Sequence, residues 1–338
     1  MEIGKDSFAT MLVCSNLALT EREKPYTSIQ WYKLSERLWA NKLTPADLFN
    51  LSKHKDVLKL DGSEYERISK LLDRAGQFGV ALSMLNEKGI FALTKSDVDY
   101  PTRLKEKLKK NAPPIIFYAG NLGILNNPGV AIVGSRNVDS DGLLFTEILA
   151  RNCVNAGVNI ISGGARGVDS IAENTSNNED GTSLIFMADS LEKKIRKKDT
   201  RTAIMRNETL LMSTQRPDMT FKVYAAMDRN KYIYAMADYV VTVSSDADKG
   251  GTWAGATENL KHGWTPLFVR NSIDIPDGNK KLLQMKGVTP ITIETINNND
   301  NVFKWLGENA ALLEKTTVRP QSKQISMVEL NLISEQYD

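Results

Sequence analysis

At 338 residues, with 41% hydrophobic and 25% charged residues, the chain has the make-up of a globular protein built as one large domain with appendages or as two modest ones, which excludes disordered and fibrous classes. Its 43 basic residues nearly cancel its 41 acidic ones, so the net charge is only +2, and any nucleic-acid partner must be met by locally focused positive charge. The two cysteines, Cys14 and Cys153, belong to no CxxC pair or Cys/His cluster, which argues against a disulfide framework or structural zinc and suits a reducing compartment.

In chain order, the apolar run Phe8 to Val13 is too short for a membrane span and lacks a basic leader, so the protein is expected to be cytoplasmic, with no membrane partner. From Tyr26 to Gly89 the pattern is helical. Ile29, Leu34 and Leu38 recur at helix spacing, and Thr44-Pro45 makes a cap and first turn. A longer stretch, Ser63 to Lys88, sets Ile68, Leu71, Leu72, Ala75, Phe78 and Leu82 on one stripe and closes with Gly89 at the helix end.

After Asn111 short runs rich in Ile and Val alternate with helical stretches. Strands are expected at Ile115–Tyr118, Val130–Val133, Val158–Ile161, Leu184–Met187, Tyr239–Val243, Leu267–Val269 and Val288–Ile291. Helices are expected at Gly142–Asn155, Val168–Thr175, Asn230–Ala237, Thr252–Lys261 and Asn279–Met285. Near-continuous apolar strands separated by helices imply an α/β fold with a doubly wound, mostly parallel, Rossmann-like sheet. The expected organisation is a helical part over 1–110, the Rossmann-like part over 111–295, and a C-terminal helix with a polar tail over 296–338. The stretch Leu191 to Lys222 begins very basic and shows no clear period, and no internal repeat is visible.

Ligands of such sheets bind beyond the carboxyl ends of the strands. Three loops there are small, glycine-rich and cationic: Gly134-Ser135-Arg136, Ser162-Gly163-Gly164-Ala165-Arg166-Gly167 and Lys249-Gly250-Gly251-Thr252. Glycine lets main-chain N–H groups approach an anion, a following helix adds its positive end, and arginine grips phosphate oxygens in pairs. The loops therefore read as phosphate cradles. Neither GxGxxG nor GxxxxGK[ST] occurs, which speaks against dinucleotide binding and ATP hydrolysis and leaves no cofactor to expect. His54 and His262 stand apart with no partner pattern, so no metal site is expected.

The ordered set Gly89-Ile90-Phe91-Ala92-Leu93-Thr94, Asp99-Tyr100-Pro101-Thr102-Arg103-Leu104, Pro113-Pro114-Ile115-Ile116-Phe117-Tyr118-Ala119-Gly120-Asn121, Val130-Ala131-Ile132-Val133-Gly134-Ser135-Arg136 and Ser162 to Asp169 resembles the DprA/Smf family of DNA-processing proteins over roughly residues 85–295. Ser162 to Asp169 is similar to the family's SGxARGxD loop, and Asp228-Arg229-Asn230-Lys231 sits where the family carries Arg-Asn-Arg. The resemblance implies a Rossmann-like protein that binds single-stranded DNA, forms a homodimer and helps load a RecA-like recombinase. It places Arg136, Ser162, Gly163, Arg166, Arg229, Asn230 and Lys231 in the DNA pocket, with the N-terminal helices similar to a sterile-alpha-motif domain. Trp253 and Tyr232 are candidates for stacking bases.

The chain departs from the family pattern in four ways. Ala172-Glu173 replaces Ala-His, Lys249-Gly250-Gly251-Thr252 replaces Ser-Gly-Ser, no winged-helix pattern follows the sheet, and Leu191 to Lys222 is atypical. It resembles a divergent member, serving DNA uptake, recombination or phage defence. The string Gly250-Gly251-Thr252 to Thr257-Glu258 also resembles the PGGxGTxxE loop of lysine-decarboxylase-like phosphoribohydrolases of the same superfamily. That opens an alternative, a nucleotide sensor or a nucleoside-monophosphate hydrolase with Glu258 as its catalytic carboxylate; otherwise no catalytic residue is expected.

Overall fold

The computed structural model describes residues 3–19 and 24–314, with side chains to residue 310. The expected polar tail beyond 314 lies outside the described residues. A nine-stranded sheet forms the centre, in the spatial order β1-β2-β6-β5-β4-β3-β7-β8-β9. The strands are β1 (Phe91–Thr94), β2 (Ile115–Gly120), β3 (Gly129–Gly134), β4 (Asn159–Ser162), β5 (Ser183–Phe186), β6 (Thr209–Ser213), β7 (Tyr239–Ser244), β8 (Leu267–Arg270) and β9 (Val288–Ile291). From β6 to β9 all neighbours run parallel, whereas β2 is antiparallel to both β1 and β6.

Chain order runs outward from β3 through β4, β5 and β6, then returns to β7 on the other side of β3. Strand order therefore reverses between β3 and β7, and the crevice beyond their carboxyl ends is where a doubly wound sheet takes its ligand.

Alternation along each strand divides the core. In β3, Val130 and Ile132 join Phe145, Leu149 and Val168 on one face, where helices Ser140–Asn155 and Val168–Asn178 lie. Ala131 and Val133 turn to the opposite face, under helices Val223–Met236 and Gly250–His262. Helices on both faces explain why the strands read as unbroken apolar runs.

The N-terminal helices do not stand apart from this sheet. Met11, Leu12, Phe78 and Leu82 share a core with Phe117 of β2, Ile185 of β5 and Leu211 of β6. The first strand, Phe91–Thr94, falls within the stretch expected to be helical. The stripe from Ser63 to Lys88 forms two helices, Gly62–Asp73 and Ala75–Glu87, and not one. Arg74 marks the break. Its buried guanidinium donates to the carbonyls of Leu12, Leu17, Ser15 and Leu71, holding the first helix's carboxyl end against the pair. No helix among the described residues is long and apolar enough to cross a membrane.

Candidate functional site

A cleft of about 480 Å³ opens at the β3/β7 reversal. Its floor is the end of β3 with Gly134, Ser135, Arg136 and Asn137. Its walls are the first turns of helix Val223–Met236 and the segment Asp246 to Thr252. Ser135 fixes the floor, since its N–H donates to Ser244 O at 2.9 Å and its hydroxyl accepts from Asn137 N at 3.1 Å.

Behind the floor lies a buried charged cluster. Asp169, in the first turn of helix Val168–Asn178, reaches back so that its Oδ2 accepts from Gly163 N at 3.1 Å and Ala165 N at 3.3 Å. Ser162 donates its hydroxyl to Glu173 and accepts from Gly164 N at 3.3 Å. Arg229 packs directly on the loop: a Cβ at Gly163 would overlap its guanidinium, so only glycine fits there. Arg229 Nη1 donates to Phe186 O at 2.9 Å, and its Nε has no partner among the described residues.

Burial pushes the Asp169 carboxyl above its usual range, opposed by Arg229 and the two amides. It pushes Glu173 up too, opposed by Lys194, whose Nζ is 3.7 Å from Oε2. The same burial lowers Arg229, and Asp169 and Glu173 counter it. These groups stay compatible inside the protein only as a mutually compensated set.

This geometry corrects the expectation of a main-chain cradle at the second loop. The amides of Gly163, Gly164 and Ala165 point inward to Asp169 and Ser162, and Ser162 is fully buried. Gly167 closes against the first loop, where a Cβ would strike Ser135 O. Arg166 is exposed and lies outside the residues lining the cleft.

The third loop behaves differently. Helix Gly250–His262 has no side-chain cap, and the amides of Gly250, Gly251 and Thr252 have no acceptor among the described residues. They line the cleft together with exposed Lys249. Asn230 donates to Gly251 O at 2.9 Å and so fixes this turn to the neighbouring helix. Across the cleft, exposed Arg136 lies over the ring of Phe221, 5.4 Å from its centroid. A helix N-terminus, a lysine and an arginine facing one space make a site for an anion, with an aromatic ring at its mouth.

The structure thus brings together Gly134, Ser135, Arg136, Arg229, Asn230, Lys249, Gly250, Gly251 and Thr252. It does not bring Lys231 and Tyr232 there: they face a separate cavity across helix Val223–Met236, where Lys231 pairs with Asp228 and Tyr232 is 3% exposed. Trp253 packs against the core, and Glu258 lies outside the cleft lining. Sequence reasoning missed Phe221, Tyr224 and Met227, which are exposed at or beside the cleft. Their signal was an aromatic and apolar run, Phe221 to Tyr224, at the end of a stretch without period.

With this geometry in view, the comparisons are specific. The family model for DNA recombination-mediator protein A matches residues 91–299, more than half of the chain. The Smf protein of Synechocystis is 27% identical over 140 residues, which are 40% of this chain and 35% of that protein. DNA processing protein DprA of Streptococcus pneumoniae is 28% identical over 188 residues, 55% of this chain and 65% of that protein. The chain therefore spans between about a third and two thirds of these curated relatives. Two solved structures share the fold. The X-ray structure of Streptococcus pneumoniae DprA is 21% identical with a TM-score of 0.66, covering 88% of this chain and 99% of that one. DNA processing protein A of Helicobacter pylori, whose structure is described for a unique single-stranded DNA binding mode, is 24% identical with a TM-score of 0.53, covering 63% of this chain and 96% of that one.

Proposed function

Because the chain belongs to the DNA recombination-mediator protein A family, we propose that it binds single-stranded DNA in the β3/β7 cleft and acts in DNA processing or recombination. The observation that carries this reading is the uncapped start of helix Gly250–His262, opening into the cleft opposite Arg136. A backbone phosphate seated on the Gly250, Gly251 and Thr252 amides receives the helix's positive end together with Lys249 and Arg136, and a neighbouring base stacks on Phe221. Arg229 contributes from beneath, holding the second loop in shape by packing on Gly163 and donating to Phe186 O.

Recognition of this kind reads charge and ring faces and not base edges, so it is nearly indifferent to sequence. Duplex fits less well, because paired and stacked bases cannot turn onto Phe221. A hydrolytic alternative loses its carboxylate, since Glu258 stands outside the cleft lining. By analogy with the family, the protein works in the cytoplasm, as a homodimer, handing the strand to a RecA-like recombinase. The sheet within 111–295 supplies the DNA site, and the dimer forms through the same part, along its edge from Asp238 to Ile291.

Fluorescence anisotropy with a labelled 20-mer tests the proposal. Binding should weaken with salt, with a log–log slope of about −0.7 per phosphate contacted. Unchanged affinity in a folded Arg136→Ala/Lys249→Ala variant would refute it.

A further inference from the structure

The motif from Asp99 to Leu104 takes no part in the cleft, and the helix it opens, Thr102–Leu108, reaches the amino ends of the parallel strands, away from the ligand loops. Arg103 and Lys107, one turn apart on this helix, meet the carboxyl end of helix Val223–Met236: Arg103 Nη1 donates to Met236 O at 3.0 Å and Lys107 Nζ to Ala237 O at 2.7 Å. That end is buried from Tyr232 to Ala237 and has no basic residue in its own last turn, so cations from another element answer its carbonyls and its negative pole. Each contact also ties a neighbour. Arg103 Nη2 is 3.2 Å from Asp238 Oδ2, which accepts from Gly129 N at 2.8 Å at the start of β3. Lys107 donates to Thr265 Oγ1 at 2.8 Å, and that hydroxyl donates to Tyr234 O at 2.7 Å. The main chain of Thr265 is bonded at 2.7 and 3.1 Å to the side chain of Asn259, fully buried in helix Gly250–His262.

One junction thus joins β3, helix Val223–Met236 and helix Gly250–His262, and the same three elements carry the cleft further along their length: Arg136 after β3, Arg229 and Asn230 on the second, Gly250 to Thr252 on the third. Arg229 lies seven residues from Met236, about 10 Å along the axis. It packs on Gly163 with no room for a Cβ, and Asn230 donates to Gly251 O at 2.9 Å, so the axial setting of this helix decides where the second loop and the phosphate turn lie. We propose that Arg103 and Lys107 are positioning residues that set the three cleft-bearing elements in register from behind. Their effect on strand binding rests on the DNA reading above; their effect on the second loop does not. They do not act on a strand through space, since charge is screened within about 8 Å at 0.15 M salt and the 14-residue helix is about 21 Å long. Burial brings the Lys107 ammonium down to about 8, opposed by Asp238. Methionine would avoid that penalty, but it could hold neither Ala237 O nor Thr265 Oγ1.

Hydrogen exchange on Lys107→Met in the full chain tests this without DNA. The amides of Gly163 and Ala165, held by Asp169, should exchange about tenfold faster or more, while helix Ser140–Asn155, on the opposite face, keeps its wild-type rates. Arg103→Met should do the same, and Arg103→Lys, which keeps a donor for Met236 O, should restore most of the protection. Where a charge variant does not fold, Thr265→Val removes the junction's hydroxyl with nearly the same shape and carries the test. In anisotropy with the labelled 20-mer, the losses from Lys107→Met and Asn230→Ala should fail to multiply by about threefold or more, because independent sites multiply to within about twofold. Should the wild type bind no strand, the DNA reading falls and exchange at 163–165 alone decides. Faster exchange confined to 236–238 and 265, or equally fast in helix Ser140–Asn155, would overturn the inference, and losses that multiply would overturn its extension to the strand.

Discussion

Replacing Arg229 by methionine separates a residue that shapes the site from one that grips the ligand. Methionine preserves much of the volume but removes the cation facing Asp169 and Glu173, and with it the donor to Phe186 O. Breaking a buried charged set by removing one member costs about 3–5 kcal/mol. Much of that is the carboxylate left behind, so the loss must depend on pH. In the wild type, Arg229 is the largest influence holding Asp169 down against burial. Without it the folded pKa rises further above the ordinary 3.8. A carboxyl whose folded pKa is raised keeps its stability below the unfolded value and loses it as pH rises through the folded one. The gap between wild type and Arg229→Met should therefore be smallest near pH 4 and widen towards pH 8. Urea unfolding across that range measures it. A gap below about 1 kcal/mol at pH 8, or one that narrows with pH, would show that Arg229 acts on ligand and not on the loop.

Arg136→Ala should leave unfolding within about 0.5 kcal/mol of wild type, since the side chain is exposed, yet weaken oligonucleotide binding about tenfold or more in anisotropy and reduce the salt slope by about 0.7. Phe221→Ala should weaken strand binding by about 1–3 kcal/mol, and Tyr232→Phe should leave the cleft's phosphate contacts untouched, as the same titrations will show. Glu173→Gln should gain stability relative to wild type as pH rises above 4.5, because the raised folded pKa makes the wild type lose stability there; thermal melts at pH 5 and pH 8 compare the two.

The parallel sheet was legible because its strands are buried on both faces and read as Val- and Ile-rich runs. β1 and β6 were not. Phe91-Ala92-Leu93-Thr94 and Thr209-Leu210-Leu211-Met212-Ser213 are short and rich in residues that also favour helices, and pairing makes them strands, β1 with β2 and β6 with both β2 and β5. The stripe from Ser63 to Lys88 has an unbroken helical period, and the break at Arg74 comes from carbonyls elsewhere in the chain that no local pattern contains. Glycine and cation content correctly located the loops at the sheet edge. It could not show which way their amides point. Asp169, six residues after Gly163, turns one set inward, and nothing equivalent caps Gly250 to Thr252, so two loops of similar composition present opposite surfaces.

Two features that stand apart in the sequence, Glu173 and the basic segment that begins at Leu191, are joined in space. The carboxyl of Glu173, fixed by Ser162 on one side, faces Lys194 on the other. Lys194 belongs to the short helix Leu191–Ile195, which opens the basic stretch that shows no clear period in the sequence. A buried acid needs a compensating cation, and a cation arriving from that stretch needs an acid within reach. The acid beside the loop and the cation of the basic segment therefore compensate each other. The pair ties helix Leu191–Ile195, whose Leu191 packs with Phe117, Ile185 and Leu211, to helix Val168–Asn178 behind the second loop, on which Arg229 packs at Gly163, so the loop is held in shape by charges set beneath the cleft.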